Sequence, residues 1–238
     1  MHFYIVLALV FNNKINIYDM KEYLEIKNEC NLELMNRYED NHFDLAIVDP
    51  PYGIERFKKV TDTPSKKDVH AKRFQGMGFV NDIKPTKEYW DELFRVSKHQ
   101  IVFGANNFTM PESEYFLIWD KKQAMQNFAR CEYAWVSMSL KKPAKIFEYS
   151  IHKHNQVNKI HQTQKPVSLY QWILTEYAKE NWKILDTHLG SGSIALALDT
   201  VNKFEKMNLT LTACEIDQKA YEKTIKRIEH ETRQESLF

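Results

Sequence analysis

The 238-residue sequence predicts an α/β fold built on a doubly wound sheet. Three observations carry that prediction. Strand-like and helix-like segments alternate from Tyr23 to His230, and glycine and proline stand at the ends of the strand-like ones. A content of 43% hydrophobic and 27% charged residues is that of an ordinary globular domain, not of a disordered or fibrous chain. Length divided by about 150 allows one to two domains. There is no repeat, low-complexity block or clear linker, so one catalytic domain over residues 20–230 with loop insertions is the economical reading.

The elements follow in order. Tyr23–Glu29 alternates like a strand, and Leu32–Tyr38 forms a short helix. Phe43–Val48 is an apolar run halted at Asp49-Pro50-Pro51, the pattern of a buried parallel strand. Glu88–Val96 has helical spacing; Gln100–Gly104, Tyr115–Trp119 and Cys131–Ser137 read as strands. Val167–Ala178 is a helix opening just after Pro166. Lys183–Asp186 is a short strand running into Gly190-Ser191-Gly192 and the helix Ser193–Lys203. Leu209–Ile216 is a further strand, and Gln218–His230 a charged amphipathic helix. Residues 1–19 precede a second methionine, Met20. They are either a hydrophobic strand of the fold or an upstream start in the gene, with the working protein beginning at Met20. Residues 231–238 form a C-terminal tail.

Composition excludes several classes. The three cysteines, Cys30, Cys131 and Cys214, are far apart and form no CxxC pair, which argues against a disulfide framework or structural zinc and fits a reducing cytoplasm. His152, His154 and His161 have no carboxylate or cysteine at ligand spacing, so no metal site is expected. The longest apolar run, Phe3–Phe11, has nine residues, whereas a spanning helix needs about 20. The run also lacks the basic flank and cleavage site of a signal peptide. No membrane role is expected. A net charge of +1, from 33 basic and 32 acidic residues, argues against a chain that merely coats nucleic acid.

Two segments carry the chemistry. Asp49-Pro50-Pro51-Tyr52 stands at the carboxyl end of a predicted strand, where open α/β sheets bind ligands. An exocyclic amino group of a nucleobase is a poor nucleophile because its lone pair is delocalised into the ring. A carboxylate (Asp49) and a backbone carbonyl (Pro50) can accept its two N–H bonds while an aromatic ring (Tyr52) stacks on the base. The same four residues are also ordinary strand-terminating punctuation. The second segment is Asp186 to Ser193, in which Gly190, Ser191 and Gly192 allow close backbone approach to a ligand over the strand end. Glu215 ends the next strand 25 residues after Gly190, where a carboxylate can grip a ribose hydroxyl pair. A third segment, His161 to Pro166, offers Thr163 and Lys165 either to the carboxylate of an amino-acid-like ligand or simply to solvent.

DPPY at 49–52, HQTQKP at 161–166 and ILDTHLGSGS at 184–193, in that order, resemble the amino-methylating DNA methyltransferases that use S-adenosyl-L-methionine. They are most similar to the permuted beta group, in which the catalytic motif precedes the cofactor motif. The resemblance runs from about Tyr23 to about Ile228. FDLAIVDPPYGI, ELFRVSKHQIVFGANNF and the WDK…NF…CEYAW pattern from Trp119 to Trp135 resemble bacterial and phage adenine-specific enzymes. The resemblance implies a Rossmann-like, mostly parallel sheet with one antiparallel strand, and a target base flipped out of double-stranded DNA. By the same likeness Asp49, Pro50, Pro51 and Tyr52 are catalytic. Asp186, Gly190, Ser191, Gly192 and Glu215 line the cofactor, Thr163 and Lys165 meet its methionine end, and Glu29 and Cys30 touch its adenine. Glu29 stands where the family has aspartate, Gln162 where it often has proline, and Asn107 where it often has tyrosine.

Aspartate at position 49 leans the resemblance toward adenine N6, since cytosine-N4 enzymes of this group usually carry serine there. N4-cytosine and RNA amino-methylation stay as alternatives. Direct attack on a sulfonium methyl needs neither a covalent enzyme intermediate nor a metal.

Charge is unevenly distributed. Residues 55–75 carry +4 and residues 141–165 carry +5, leaving −8 on the rest. Both basic stretches flank motif segments. Residues 55–80 are expected to form a mobile loop over the flipped base, and about 121–160 the target-recognition region. Lys58, Lys59, Lys141, Lys142, Lys145 and Lys153 are the candidate DNA phosphate contacts. The chain ends Gln234-Glu235-Ser236-Leu237-Phe238, similar to the short peptides by which bacterial proteins dock on the replication sliding clamp. Gln234, Leu237 and Phe238 would make that contact, or the two hydrophobes pack back on the domain. A homodimer is consistent with the family.

Overall fold

The strand Phe43–Val48 is buried on both sides, and the sheet grows outward from it. The computed structural model describes residues 21–53, 82–155, 159–161 and 163–234. Their strands are β1 (Leu24–Lys27), β2 (Phe43–Val48), β3 (Ser97–Phe103), β4 (Phe116–Asp120), β5 (Cys131–Val136), β6 (Lys145–Glu148), β7 (Lys183–Asp186) and β8 (Thr210–Cys214). They form one sheet in the order β1-β8-β7-β2-β3-β5-β4-β6. Among them β5 alone runs antiparallel to the rest, between β3 and β4. The expected mostly parallel sheet with one reversed strand is therefore observed.

Alternation along the strands divides the core in two, because successive side chains point to opposite faces. Leu45, Ile47, Ile101 and Phe103 face one layer of helices, α4 (Val167–Tyr177), α5 (Ser193–Glu205) and α6 (Gln218–Gln234). Ala46, Val48 and Val102 face the other, α1 (Asn31–Met35) and α2 (Lys87–Val96). In α2 the buried residues Tyr89, Leu93 and Val96 recur at i, i+4 and i+7, the stripe that seats a helix on a sheet. Its first turn is capped by Thr86, whose hydroxyl accepts from the Tyr89 N–H at 3.4 Å.

Three local expectations change. Lys145–Glu148 is an edge strand that the sequence did not single out, because its burial alternates only between partial and exposed and Ile146 is 64% exposed. A four-residue helix, α3 (Ile151–His154), follows it. Helix α6 runs to Gln234, so residues 231–234 belong to the domain and not to the tail; Thr232 is buried and its hydroxyl bonds the Ile228 carbonyl at 2.8 Å. Residues 1–19, the 55–80 loop and residues 235–238 lie outside the described residues.

The chain order places the site. From the adjacent pair β7 and β2, the β2–β3 connection proceeds one way along the sheet and β7–β8 the other. That reversal opens a crevice at the carboxyl ends of the strands. The segment after β2 (Asp49 to Tyr52) and the turn after β7 (Thr187 to Gly192) both emerge there.

Candidate active site

Asp49 leaves the end of β2 with both carboxylate oxygens engaged. Oδ1 accepts the Tyr52 hydroxyl at 2.6 Å, and Oδ2 accepts the Lys165 ammonium. The Tyr52 ring lies directly on Gly104, just past β3: a Cβ at that position would stand 2.2 Å from the ring, and Gly104 has φ +62°. Only glycine leaves room for the ring there and tolerates that backbone conformation. Phe108 meets the same ring edge-on at 6.1 Å between centroids. Burial, with the Asp49 charge beside it, pushes the Tyr52 phenol well above its ordinary pKa, so the hydroxyl stays protonated and donating.

Lys165 precedes α4 and is 4% exposed. Its ammonium also lies 3.4 Å from Glu132 Oε2 on β5 and 4.7 Å from the Phe103 ring centre. Glu132 Oε1 in turn pairs with Lys121 at 2.7 Å. Burial alone would lower the Lys165 pKa, but the Asp49 and Glu132 carboxylates more than reverse it. Burial likewise opposes ionisation of Glu132, and Lys165 and Lys121 together hold its pKa below the usual carboxylate range. The family resemblance implied Lys165 at the methionine end of a cofactor; here its ammonium sits on Asp49. Thr163 is exposed, with Oγ1 3.1 Å from His161 Nδ1.

The turn after β7 builds the opposite wall. Gly190 and Gly192 have φ +53° and +73°. Beside Gly190 the space is open, with the His188 carbonyl 3.8 Å from a would-be Cβ. At Gly192 a Cβ would meet Thr224 at 2.7 Å and Ile228 at 3.0 Å, so that glycine serves the contact between the turn and α6 and not a ligand. Ser191 is buried, with Oγ 3.1 Å from Ser193 Oγ. Glu215, after β8, accepts the backbone N–H groups of Gly190 (3.0 Å) and Asp217 (2.9 Å). Asp186 is buried and accepts the His188 N–H at 2.9 Å; burial pushes its carboxyl up to about 7. Burial pushes the His188 imidazole down to about 3, so it is neutral, with Nδ1 2.9 Å from the Thr187 hydroxyl and Nε2 3.1 Å from the Asn31 amide.

Pro51, from the first of these segments, and Thr187 and His188, from the second, help to line a cleft with about 760 Å³ of empty volume, part of it open to solvent. Glu29, Asn31, Pro51, Tyr89, His188 and Glu215 are among the residues lining it. Of the residues expected at a cofactor, Glu29 and Glu215 line it directly, and Glu29 is gripped by Arg37 through both oxygens. Cys30 stands at the N-terminus of α1 without a side-chain cap. Sequence reasoning missed Asn31, Tyr89, Gly104, Glu132 and His188. Gly104, Glu132 and His188 sat inside quoted motifs, but the partners that give Glu132 and Asn31 their place in the site lie 33 and 157 residues away.

The candidate DNA contacts separate. Strand β5 begins at the catalytic edge of the sheet and runs away from it, so Lys141 and Lys142, which follow it, stand at the opposite edge. The hydrogen bond from Ser139 Oγ to the Lys98 carbonyl at the start of β3 fixes that end. Six strand residues span roughly 20 Å. Lys145, at the start of β6, is at the same far edge, and its ammonium pairs with Glu176 of α4. These three lysines are therefore misplaced as contacts beside a flipped base. Lys153 lies on the catalytic edge, its ammonium 5.5 Å from the Tyr149 ring centre. The loop from β4 to β5 is there too: residues 124–131 are all exposed, with Met125 and Phe128 prominent and Arg130 at its end. Strands β5 and β6, inside the expected recognition region, are part of the sheet. Lys58 and Lys59 lie outside the described residues, as do Leu237 and Phe238; Gln234 ends α6.

Comparison with known proteins gives three findings. Residues 69–226 match the N6_N4_Mtase family model, described as DNA methylase. The chain is 22% identical over 217 residues to the type II methyltransferase M.HpaI of Haemophilus parainfluenzae, covering 72% of this chain and 65% of that protein. Among solved structures it is similar to the M1.HpyAVI–SAM complex, with a TM-score of 0.52, 15% identity, and 86% and 99% of the two chains covered. It is also similar to TTHA0409 of Thermus thermophilus complexed with S-adenosyl-L-methionine, with a TM-score of 0.51, 11% identity, and 87% and 94% covered. At these identities the structural likenesses establish the fold.

Proposed function

The chain belongs to the N6/N4 DNA methylase family, and we propose that it transfers a methyl group from S-adenosyl-L-methionine to the N6 amino group of an adenine flipped out of duplex DNA. The observation that carries this reading is one cleft at the reversal point of the sheet, lined by Pro51 from the Asp49–Tyr52 segment, by Thr187 and His188 from the turn after β7, and by Glu215 after β8.

The cleft fits the donor chemically. Gly190 leaves backbone space, and Glu215 is a carboxylate anchored by two backbone N–H groups with lone pairs left for a hydroxyl pair. Leu32, Pro51 and Ile216 give apolar walls for a purine. When bound, the cofactor supplies an electrophilic methyl group on a sulfonium.

The chain's own residues handle the amine. Asp49 and the Pro50 carbonyl accept its N–H bonds and so turn the nitrogen lone pair outward. The Tyr52 ring, fixed on Gly104, offers a face for the base. Lys165 keeps a positive charge against Asp49, which is also the nearest base for the proton the nitrogen sheds. Arg130 and Lys153, at the catalytic edge, are the described cations we assign to DNA phosphates, with Met125 and Phe128 beside them to face bases. Aspartate at position 49 favours adenine over cytosine.

The test is incubation with duplex DNA and methyl-labelled cofactor, followed by digestion to nucleosides. Label in N6-methyladenine is expected. Label in N4-methylcytosine would reassign the base, and label only in RNA, or none, would overturn the reading.

A further inference from the structure

A substrate amine reaching Asp49 meets a carboxylate already engaged on both oxygens, Oδ1 by Tyr52 and Oδ2 by Lys165, and must compete with a buried ammonium for Oδ2. The amine gains the full carboxylate when the ammonium shifts, and the structure shows where the ammonium can go. Lys165 has three N–H donors and, at 4% exposure, no recourse to solvent. A buried ammonium withdrawn from one anion needs another close by. Glu132 Oε2 lies 3.4 Å from it, buried and without a hydrogen-bond partner, while Oε1 of the same carboxylate is held by Lys121. The three residues come from different elements: the end of β2, the start of β5 and the segment before α4. Their charges, with that of Lys121, sum to zero.

We propose that Glu132, acting through Lys165, is a positioning residue for the methyl transfer: it receives the Lys165 ammonium when the amine claims Asp49 Oδ2. The handover moves one hydrogen bond and no proton, so the site stays neutral throughout. Lys121 keeps Glu132 oriented, leaving Oε2 as the vacant acceptor. The Phe103 ring lies under the ammonium, 4.7 Å from it, and gives it a cation–π contact that does not depend on either carboxylate. The inference rests on the methyltransferase reading and deepens it.

The experiment is single-turnover methylation of duplex DNA by the wild-type chain, E132Q and E132D, with the Kd for cofactor and for DNA measured separately. E132Q keeps the shape and removes the charge. It is expected to lose about 10- to 100-fold in the transfer rate, with both Kd values within about twofold of wild type. E132D keeps the charge but withdraws the carboxylate by one methylene, and should fall between the two. In the E132Q/K165M double variant the two losses should not multiply, because both act on one contact. If E132Q does not fold, the same split between rate and affinity is read from E132D. A wild-type rate in the variant overturns the inference, as does a loss that appears in the cofactor Kd, which would return Lys165 to the cofactor. If the wild-type chain itself transfers no methyl group to DNA, the functional reading fails first; if it does and E132Q matches it, only the handover fails.

Discussion

Gly104→Ala tests whether the Tyr52 platform is set by backbone space. The new Cβ would lie 2.2 Å from ring carbons Cε1 and Cζ and 2.6 Å from the hydroxyl oxygen, whereas ordinary contact begins at 3.4 Å. The ring must therefore retreat by about 1.2 Å, and that movement can stretch its 2.6 Å hydrogen bond to Asp49 to as much as about 3.8 Å, beyond bonding range. Misplacing a reacting partner by about 1 Å can cost about 100-fold in rate. An alanine at φ +62° adds about 1–2 kcal/mol of backbone strain, which lowers Tm by about 2–8 °C for a chain of this length. The expected outcome in single-turnover methylation is a loss of about 100-fold in rate, with cofactor Kd unchanged and a modest drop in Tm. The decisive control is G104A/Y52A. With the ring gone the clash disappears, so the double variant should be no slower than Y52A alone. A wild-type rate in G104A, or full multiplication of the two losses in the double variant, would refute the reasoning.

The remaining predictions concern charge. Asp186 has its carboxyl pushed from 3.8 to about 7 by burial, so between those values the folded state holds a proton that the unfolded state lacks. Raising pH through that window strips the proton and lowers stability, and above about 7 the loss is complete. D186N is neutral throughout and still accepts the His188 N–H. Its stability from urea titration should gain on wild type by up to a few kcal/mol as pH rises from about 4 to about 7 and then level off; a pH-independent difference would contradict the assignment. In the salt dependence of DNA binding, R130Q/K153Q should shallow the log–log slope by about two, since each phosphate contact contributes about 0.9. K141Q/K142Q, at the far edge of the sheet, should leave it unchanged, and the reverse pattern would put DNA on the opposite face.

Much of the fold was legible because periodicity reports burial. Phe43–Val48 reads as a buried parallel strand because its residues are packed on both faces, Lys183–Asp186 reads as a short strand, and Pro50 and Gly190 mark where each stops. Strand β6 is hidden for the same reason in reverse: at the edge, Lys145–Glu148 is barely half buried, so no hydrophobic alternation is imposed on it. The end of α6 reads four residues early because Arg233 and its neighbours look like a tail unless the burial of Thr232 is known.

The sequence by itself determined the chemistry available: a carboxylate and an aromatic ring after one strand, glycines after another, and an acid after a third. Those signals are local, written by residues within a few positions of each other. Tertiary structure decided which of them meet. It moved Lys165 from the cofactor's end to the Asp49 carboxylate, gave Gly192 to a helix contact, and brought Glu132 and His188 into the site. It also sent Lys141 and Lys142 about 20 Å from the chemistry. The physical reason is strand direction. Whether a basic segment follows a parallel or an antiparallel strand fixes the edge of the sheet at which it emerges, and β5 runs antiparallel to both β3 and β4, a pairing that in β3 reaches residues distant in the chain.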